Sequence, residues 1–249
     1  MRQLAAAVAV AAAGVLVAAC GGDDQGSPAS STTTTTTSSK PPVAQAALDG
    51  LLLTPAEVDS AMGITGMSTK DKIETMPDDS NKQWPQGWKW PAECLFAYGS
   101  AEAPVYAGSG FTAVRGHEDV ATGTAPSGEM DPDVAQALVL FPSANEANAF
   151  FTTSSQRWPA CANRSFTTPG DADSPEAVWQ VGALSTANNT LSIPVSVTMT
   201  KGTVSFKGTC QRVLTVRNNI AIDLTACGKD PGDAGVKIAN QIAAKVDKQ

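Results

Sequence analysis

The sequence predicts an α+β domain built on a mostly antiparallel sheet. Three observations carry that prediction. Helical periodicities are scattered among successive β-like runs rather than alternating with them in a regular β–α order. Several of those runs are separated only by short turns, a connection that suits antiparallel neighbours. Once Cys20 is set aside, four cysteines remain, Cys94, Cys161, Cys210 and Cys227, an even set that suits a disulfide framework in an oxidising compartment. With 249 residues, 42% hydrophobic and 16% charged, the chain can bury a core and is not wholly disordered.

Residues 1–19 read as a signal peptide. Arg2 precedes an unbroken apolar run from Leu4 to Ala19, about 24 Å as a helix. That falls short of the roughly 30 Å hydrocarbon core and fits a secretory apolar region. The run ends in Val17-Ala18-Ala19-Cys20, which resembles a bacterial lipobox. The resemblance implies cleavage before Cys20 and a diacylglyceryl thioether on its sulfur. The expected location is therefore the cell membrane, lipid-anchored on its extracytoplasmic face, since two or three acyl chains hold a protein stably on a bilayer.

From Gly21 to Pro42 the chain offers no Val, Leu, Ile, Met or aromatic residue. Nothing there offsets the entropy of ordering, so it reads as a Ser/Thr/Pro-rich flexible tether, spanning on the order of 25 Å as a coil. The Thr32 to Thr37 tract is a candidate for O-linked sugars.

A single domain then runs over 43–249. Its first firm element is a helix from Leu48 to Gly63, with Thr54-Pro55-Ala56-Glu57 as a capping box and Gly63 as its stop. Strand-like runs follow at Cys94–Tyr98, Val105–Arg115 and Val134–Phe141. Ser143-Ala144-Asn145-Glu146 opens a second helix with Ala147, Phe150, Phe151, Ser154 and Trp158 on one stripe, ended by Pro159. More strand-like runs cover Ala177–Ser185, Leu191–Thr200 and Thr203–Phe206. The last helix, about Asp233 to Val246, aligns Val236, Ala239, Ile242, Ala243 and Val246.

Between them, CQRVLTVR and IAIDLTAC flank Asn218-Asn219, a pair that tolerates the positive φ angles of a type I′ turn. In a two-residue hairpin, opposed positions share one sum, here 437, so Cys210 faces Cys227 directly. Counted out from Arg217 and Ile220, they fall on a non-hydrogen-bonded rung, where Cα atoms approach to about 4.5 Å, within disulfide reach. Cys210–Cys227 is the expected bridge, which leaves Cys94–Cys161 by elimination. No Cys-x-x-Cys exists, so the bridges are read as structural.

Three stretches resemble the PknH-type extracellular domain, the sensor of a mycobacterial serine/threonine kinase that also occurs in stand-alone lipoproteins. The first is Val105-Tyr106-Ala107-Gly108-Ser109-Gly110-Phe111-Thr112-Ala113-Val114-Arg115-Gly116. The second is Phe141-Pro142-Ser143-Ala144, then Phe150-Phe151, then Trp158 ahead of Cys161. The third is Cys210-Gln211-Arg212 leading to Arg217-Asn218-Asn219-Ile220 and Asp223. The resemblance covers roughly Ala47 to Val246. It implies a single domain whose antiparallel sheet is packed by helices, disulfides paired first-to-second and third-to-fourth, and a cleft for an unidentified extracellular ligand. This sequence shows neither a kinase domain nor a spanning helix, so a signal sensed here would not be passed on directly by this polypeptide.

Composition excludes other classes. Seventeen Lys+Arg against 24 Asp+Glu give a net charge of -7, which disfavours nucleic acid as a partner. A single histidine, His117, strains any triad or multi-histidine metal site. His117-Glu118-Asp119 reads as a polar loop end, and Asp131-Pro132-Asp133 lacks the ligand spacing of a calcium loop. No catalytic residue, metal site or cofactor is expected.

Trp84-Pro85-Gln86-Gly87-Trp88-Lys89-Trp90-Pro91 gathers three of the five tryptophans. These indoles either cover the core beside Cys94–Cys161 or stack on a ligand such as a sugar. Arg212 and Asp223 share the cystine face of the hairpin, as a diagonal ion pair worth under about 1 kcal/mol if exposed, or as a polar ligand site if that face lines the cleft. The candidate ligand-binding residues are Trp88, Trp90, Tyr106, Arg212 and Asp223. The expected occupant is a small-molecule or cell-wall ligand; the alternative is a structural lipoprotein that holds an envelope protein partner.

Overall fold

Nine strands pair antiparallel into one sheet in the computed structural model, which describes residues 40–82 and 84–249. The expected signal peptide, Cys20 and the expected tether before Lys40 lie outside the described residues. In chain order the strands are β1 (Ser68–Ile73), β2 (Ala113–Val120), β3 (Asp133–Leu140), β4 (Ser165–Thr168), β5 (Glu176–Val181), β6 (Ser185–Ala187), β7 (Thr190–Lys201), β8 (Val204–Arg217) and β9 (Ile220–Gly228). They lie in the order β1-β2-β3-β9-β8-β7-β5-β4, with β6 folded back on β7. The expected α+β class is what the chain adopts.

Helices cover both faces. On one, α1 (Leu48–Leu51), α2 (Pro55–Met62) and α6 (Ala234–Val246) pack aliphatic side chains against Val134, Leu138, Val213, Ile222 and Leu224. On the other, α3 (Leu95–Tyr98), α4 (Ala103–Tyr106) and α5 (Ala144–Arg157) join irregular chain over Ala137, Val139, Leu214, Val216 and Ala221. The alternation of pleat residues explains the split, because neighbouring positions on each strand feed opposite cores.

The predicted helix from Leu48 to Gly63 is broken in two. Pro55 drives Thr54 into extended backbone (φ -68°, ψ 157°), and Leu53 turns into the core, its N–H and C=O both bound by the Gln136 amide. The box at Thr54 and Glu57 forms, and Gly63 stops α2 in the left-handed conformation. At the second helix, Ser143 Oγ instead caps the N–H of Asn145.

Two predicted strands were misread. Cys94–Tyr98 forms a 3-10 turn and α3, lying over the sheet instead of joining it. Val105–Arg115 begins as the end of α4, passes Gly108 and Gly110 at φ 74° and 78°, and becomes strand only at Ala113. A short apolar run fits either a buried helix or a strand, and periodicity does not separate them. His117-Glu118-Asp119, expected at a loop end, lies inside β2. There Asp119 is fully buried, 2.9 Å from His117 Nδ1 and accepting from Thr69 Oγ1 at 2.7 Å. Thr203–Phe206 is not a separate strand but the start of β8.

The β8–β9 register is the predicted one: Cys210 opposes Cys227 and Arg217 opposes Ile220. Both disulfides form as expected, Cys210–Cys227 and Cys94–Cys161. At the turn only Asn218 takes a positive φ, 51°, so the type I′ expectation fails at Asn219. The Asn219 side chain is committed elsewhere. Its Oδ1 accepts from the N–H of Val43 at 2.8 Å and its Nδ2 donates to the carbonyls of Val43 and Phe141.

Candidate functional site

The layer over the second face carries the candidate residues, and its attachment to the sheet decides their environment. Arg212 and Asp223 sit diagonally across β8 and β9, because Arg212 opposes Thr225 and Asp223 opposes Leu214. Their charged ends meet at 2.8 Å, with side chains only 2% and 3% exposed. The ion pair is therefore buried, not the exposed one considered from sequence. Arg212 Nε donates to the carbonyl of Phe96 at 3.0 Å, Nη1 donates to the carbonyl of Leu224, and the guanidinium lies 5.7 Å from the Trp158 ring centroid. Asp223 Oδ2 accepts from the N–H of Ala101 at 2.9 Å and from the Tyr106 hydroxyl at 3.0 Å. Burial, reinforced by the Asp223 carboxylate, pushes the Tyr106 phenol well above its usual range, so it stays neutral and donates.

Tyr106, Arg212 and Asp223 thus converge, although 117 positions separate Tyr106 from Asp223. None of the three is among the residues that line the grooves described below. Each neutralises or satisfies another, and together they pin the backbone of residues 96 and 101 to the sheet. Tyr106 also stacks on Phe150 of α5 at 4.2 Å, and Cys94–Cys161 ties the same layer to the chain after α5.

Trp88 and Trp90 lie apart from that network. Trp84, Trp88, Trp90, Tyr98, Phe166 and Trp179 form an aromatic cluster: Trp90 meets Tyr98 at 4.6 Å and Trp179 at 5.1 Å, and Trp88 stacks on Phe166 at 6.1 Å and 24°. Trp90 is buried and its Nε1 donates to the carbonyl of Cys94 at 2.8 Å; it packs. Trp88 is half-buried. The turn that presents it places both Gln86 and Gly87 at positive φ, 56° and 70°, and Gln86 Nε2 is held by the carbonyl of Gly170.

Beside this cluster opens a cleft of about 410 Å³ with Ser80, Lys82, Trp84, Trp88 and Lys89 among its walls, the scale of a small-molecule site. One buried polar atom there, Trp84 Nε1, lacks a partner among the described residues, while the Ser80 hydroxyl lies against the Glu102 carboxyl. Buried groups of this kind are ordinarily bonded, so an orphan needs an explanation. Below the cleft, Glu102 accepts from the N–H of Ser80 at 3.1 Å, and burial raises its carboxyl above the usual range. Burial, with Asp79 and Glu102 nearby, lifts the Tyr98 phenol to about 12.

Two grooves continue along α5. One of about 450 Å³ shares Ala92 and Leu95 with the tryptophan cleft. The other, about 290 Å³, adds Glu146 and Ser109, whose Oγ is a further orphan. The two share Phe96, Val105 and the exposed Arg157. A wider depression of about 510 Å³ on β7 and β8 is a polar strand surface whose carboxylate, Glu129, already holds Lys229 at 2.9 Å.

Sequence reasoning missed Ser80, Trp84 as a donor, and Arg157. Only the crowding of tryptophans could have pointed to the first two. Among the described residues no group of three or more His, Cys, Asp or Glu side chains is placed to hold a metal ion. The expected loop carboxylates are turn-formers: Asp131 accepts from the N–H groups of Gly123, Thr124 and Ala125, and Asp171 from those of Asp173 and Ser174.

A family model described as the PknH-like extracellular domain matches residues 43–245. The serine/threonine-protein kinase PknH of Mycobacterium bovis is 32% identical over 207 residues, covering 83% of this chain and 32% of the kinase. Its Mycobacterium tuberculosis counterpart is also 32% identical, with 30% of the kinase covered. The chain spans about a third of the length of these relatives. The crystal structure of the extracellular domain of PknH from Mycobacterium tuberculosis superposes with a TM-score of 0.68 at 31% identity, covering 84% of this chain and 99% of that one.

Proposed function

This chain belongs to the PknH-like extracellular domain family, and on that premise we propose that it is a non-catalytic, sensor-like domain that binds an extracytoplasmic ligand in the cleft over the second sheet face. Family membership puts the domain outside the cytoplasm. The region shared with the kinases is their extracellular part, not their catalytic part. The observation that carries the reading is the tryptophan cleft. An unpartnered indole N–H on Trp84 and a half-buried indole on Trp88 are gathered on a layer that a disulfide and a buried ion pair hold in place. Such preorganisation lowers the entropic cost of binding.

We further propose that Cys20 carries the lipid and Gly21 to Pro42 the tether. The lipobox-like Val17-Ala18-Ala19-Cys20 supports acylation as the means of attachment; no described helix is long and apolar enough to cross a membrane. Cys20→Ala should abolish palmitate labelling and release the chain from the membrane fraction. Retention in that fraction with no label would show a different anchor.

The ligand test is native mass spectrometry of the oxidised domain, residues 43–249, produced in a mycobacterial host. A bound species that survives desalting and is lost in Trp88→Ala supports the reading. A protein partner is the second reading, favoured by Phe111, a large apolar side chain left 36% exposed beside Tyr106. It predicts an apo mass together with a crosslink through Phe111.

A further inference from the structure

We propose that the tryptophan cleft takes an anionic saccharide, a sugar ring bearing a carboxylate or phosphate. This rests on the ligand-binding reading above and names the chemistry its site selects. The Trp88 indole is wedged in one orientation by Phe166 behind it and by the edge of Trp84 at 5.4 Å. The C–H face of a sugar ring is weakly positive and matches the negative face of an indole, so an indole fixed before binding offers a platform at little entropic cost.

The polar lining then specifies what the ring must carry. Ser80 is 5% exposed, its N–H donates to Glu102 and its hydroxyl lies against the same carboxyl. Trp84 Nε1–H is a donor only, buried and unpartnered among the described residues. Lys82 and Lys89 stand on the wall. Lys82 is held by Asp79, whereas Lys89 has no ion-pair partner among the described residues.

An aromatic cluster alone would also suit an organic cation, but the Lys89 ammonium on its wall, without an ion-pair partner among the described residues, opposes one. An unpartnered donor at Trp84 and a cation at Lys89 ask for acceptors and negative charge. Hydroxyl oxygens of the sugar would accept from Trp84 Nε1, with the anionic group against Lys89. Charge-assisted contacts of that kind are stronger than neutral ones.

The test is titration of the ¹⁵N-labelled, oxidised domain, a compact unit over residues 40–249, with a tetrasaccharide of alternating glucuronic acid and N-acetylglucosamine. Neutral chitotetraose and phosphatidylglycerol vesicles serve as comparisons. The expected result is a saturable shift of the Trp84 and Trp88 indole N–H signals. Lys89→Gln should weaken binding about tenfold and flatten its salt dependence, and Trp88→Ala should abolish it while lowering Tm by no more than about 4 °C. Lys237→Gln, in α6 on the opposite face of the sheet, should leave it unchanged. Equal binding of the neutral glycan overturns the anionic assignment, and shifts produced by the vesicles alone overturn it in favour of a lipid surface. No glycan response, beside a different small molecule in the native mass spectrum, sinks this inference and leaves the ligand-binding reading intact. No glycan response and an apo mass sink both.

Discussion

The two faces of the sheet are closed by different means. Under α1, α2 and α6 the core is aliphatic and continuous, with Leu48, Val58, Ile238, Ala239 and Ile242 essentially inaccessible. Regular helices supply an apolar stripe that needs only to match in volume. The opposite face is roofed by one regular helix, α5, and by short helical turns and loops around residues 76–106. There the chain uses a disulfide, a buried ion pair, a neutral phenol and an aromatic cluster. Irregular covering leaves gaps, and the grooves along this layer are those gaps. Recognition is expected where the backbone cannot be closed by repetition, and stability where it can.

That contrast can be broken by substitution. Asp223→Ala should cost most, about 4 kcal/mol, because it strands the Arg212 guanidinium in the interior along with Tyr106 and the Ala101 amide. Urea unfolding measures it, and a loss below about 1 kcal/mol would mean that solvent reaches the pair. On the other face, Ile242→Ala should cost about 3 kcal/mol by leaving a cavity. It should leave hydrogen exchange in the 94–106 layer unchanged, and enhanced exchange there would show that the two cores are coupled.

The two bridges sharpen the comparison further. Cys94 and Cys161 are 67 residues apart and Cys210 and Cys227 only 17. By loop entropy the Cys94→Ser/Cys161→Ser pair should lose about 1 kcal/mol more than its hairpin counterpart; calorimetry of the two double variants decides it. Trp88→Ala, half-exposed, should cost under about 1 kcal/mol while removing ligand binding.

A separate comparison is one of pH. Between β2 and β3, burial and the hydrogen bond that the protonated Asp133 carboxyl donates to the Glu118 carboxylate raise the Asp133 carboxyl from 3.8 to about 8. In the folded chain it holds its proton where the unfolded chain has lost it. Its contribution to stability is therefore whole below about 4 and is lost as pH rises to about 8. Asp133→Asn should flatten that slope, measured as Tm against pH.

What could be read from sequence follows the same division. The Cys210–Cys227 register needed only the period of two and a two-residue turn. The helix at Asp233–Val246 needed only its stripe. β1, Ser-Thr-Lys-Asp-Lys-Ile, went unseen because it is an edge strand exposed along nearly its whole length, with lysines of the kind that keep such edges from pairing, and so shows no apolar alternation. The errors at Cys94–Tyr98 and Val105–Arg115 fall in the irregular roof, where chain direction is set by contacts such as Arg212 with the Phe96 carbonyl. No local pattern encodes a partner more than a hundred positions away. The hairpin parity did place Arg212 and Asp223 on one face, but not the depth at which they lie.

The Asn219 clamp has a mechanical meaning. Val43 is bound to its amide through both N–H and C=O, and the Asn218 amide takes the carbonyl of Pro41. Load arriving along the chain from the N-terminal side meets the tip of the central hairpin first. It is shared there with Phe141 at the end of β3, through the Asn219 side chain and backbone. A domain pulled by a proposed lipid anchor would thus be held by its two most protected strands, while the grooved roof on the far side of the hydrogen-bond ladder carries none of the tension directly.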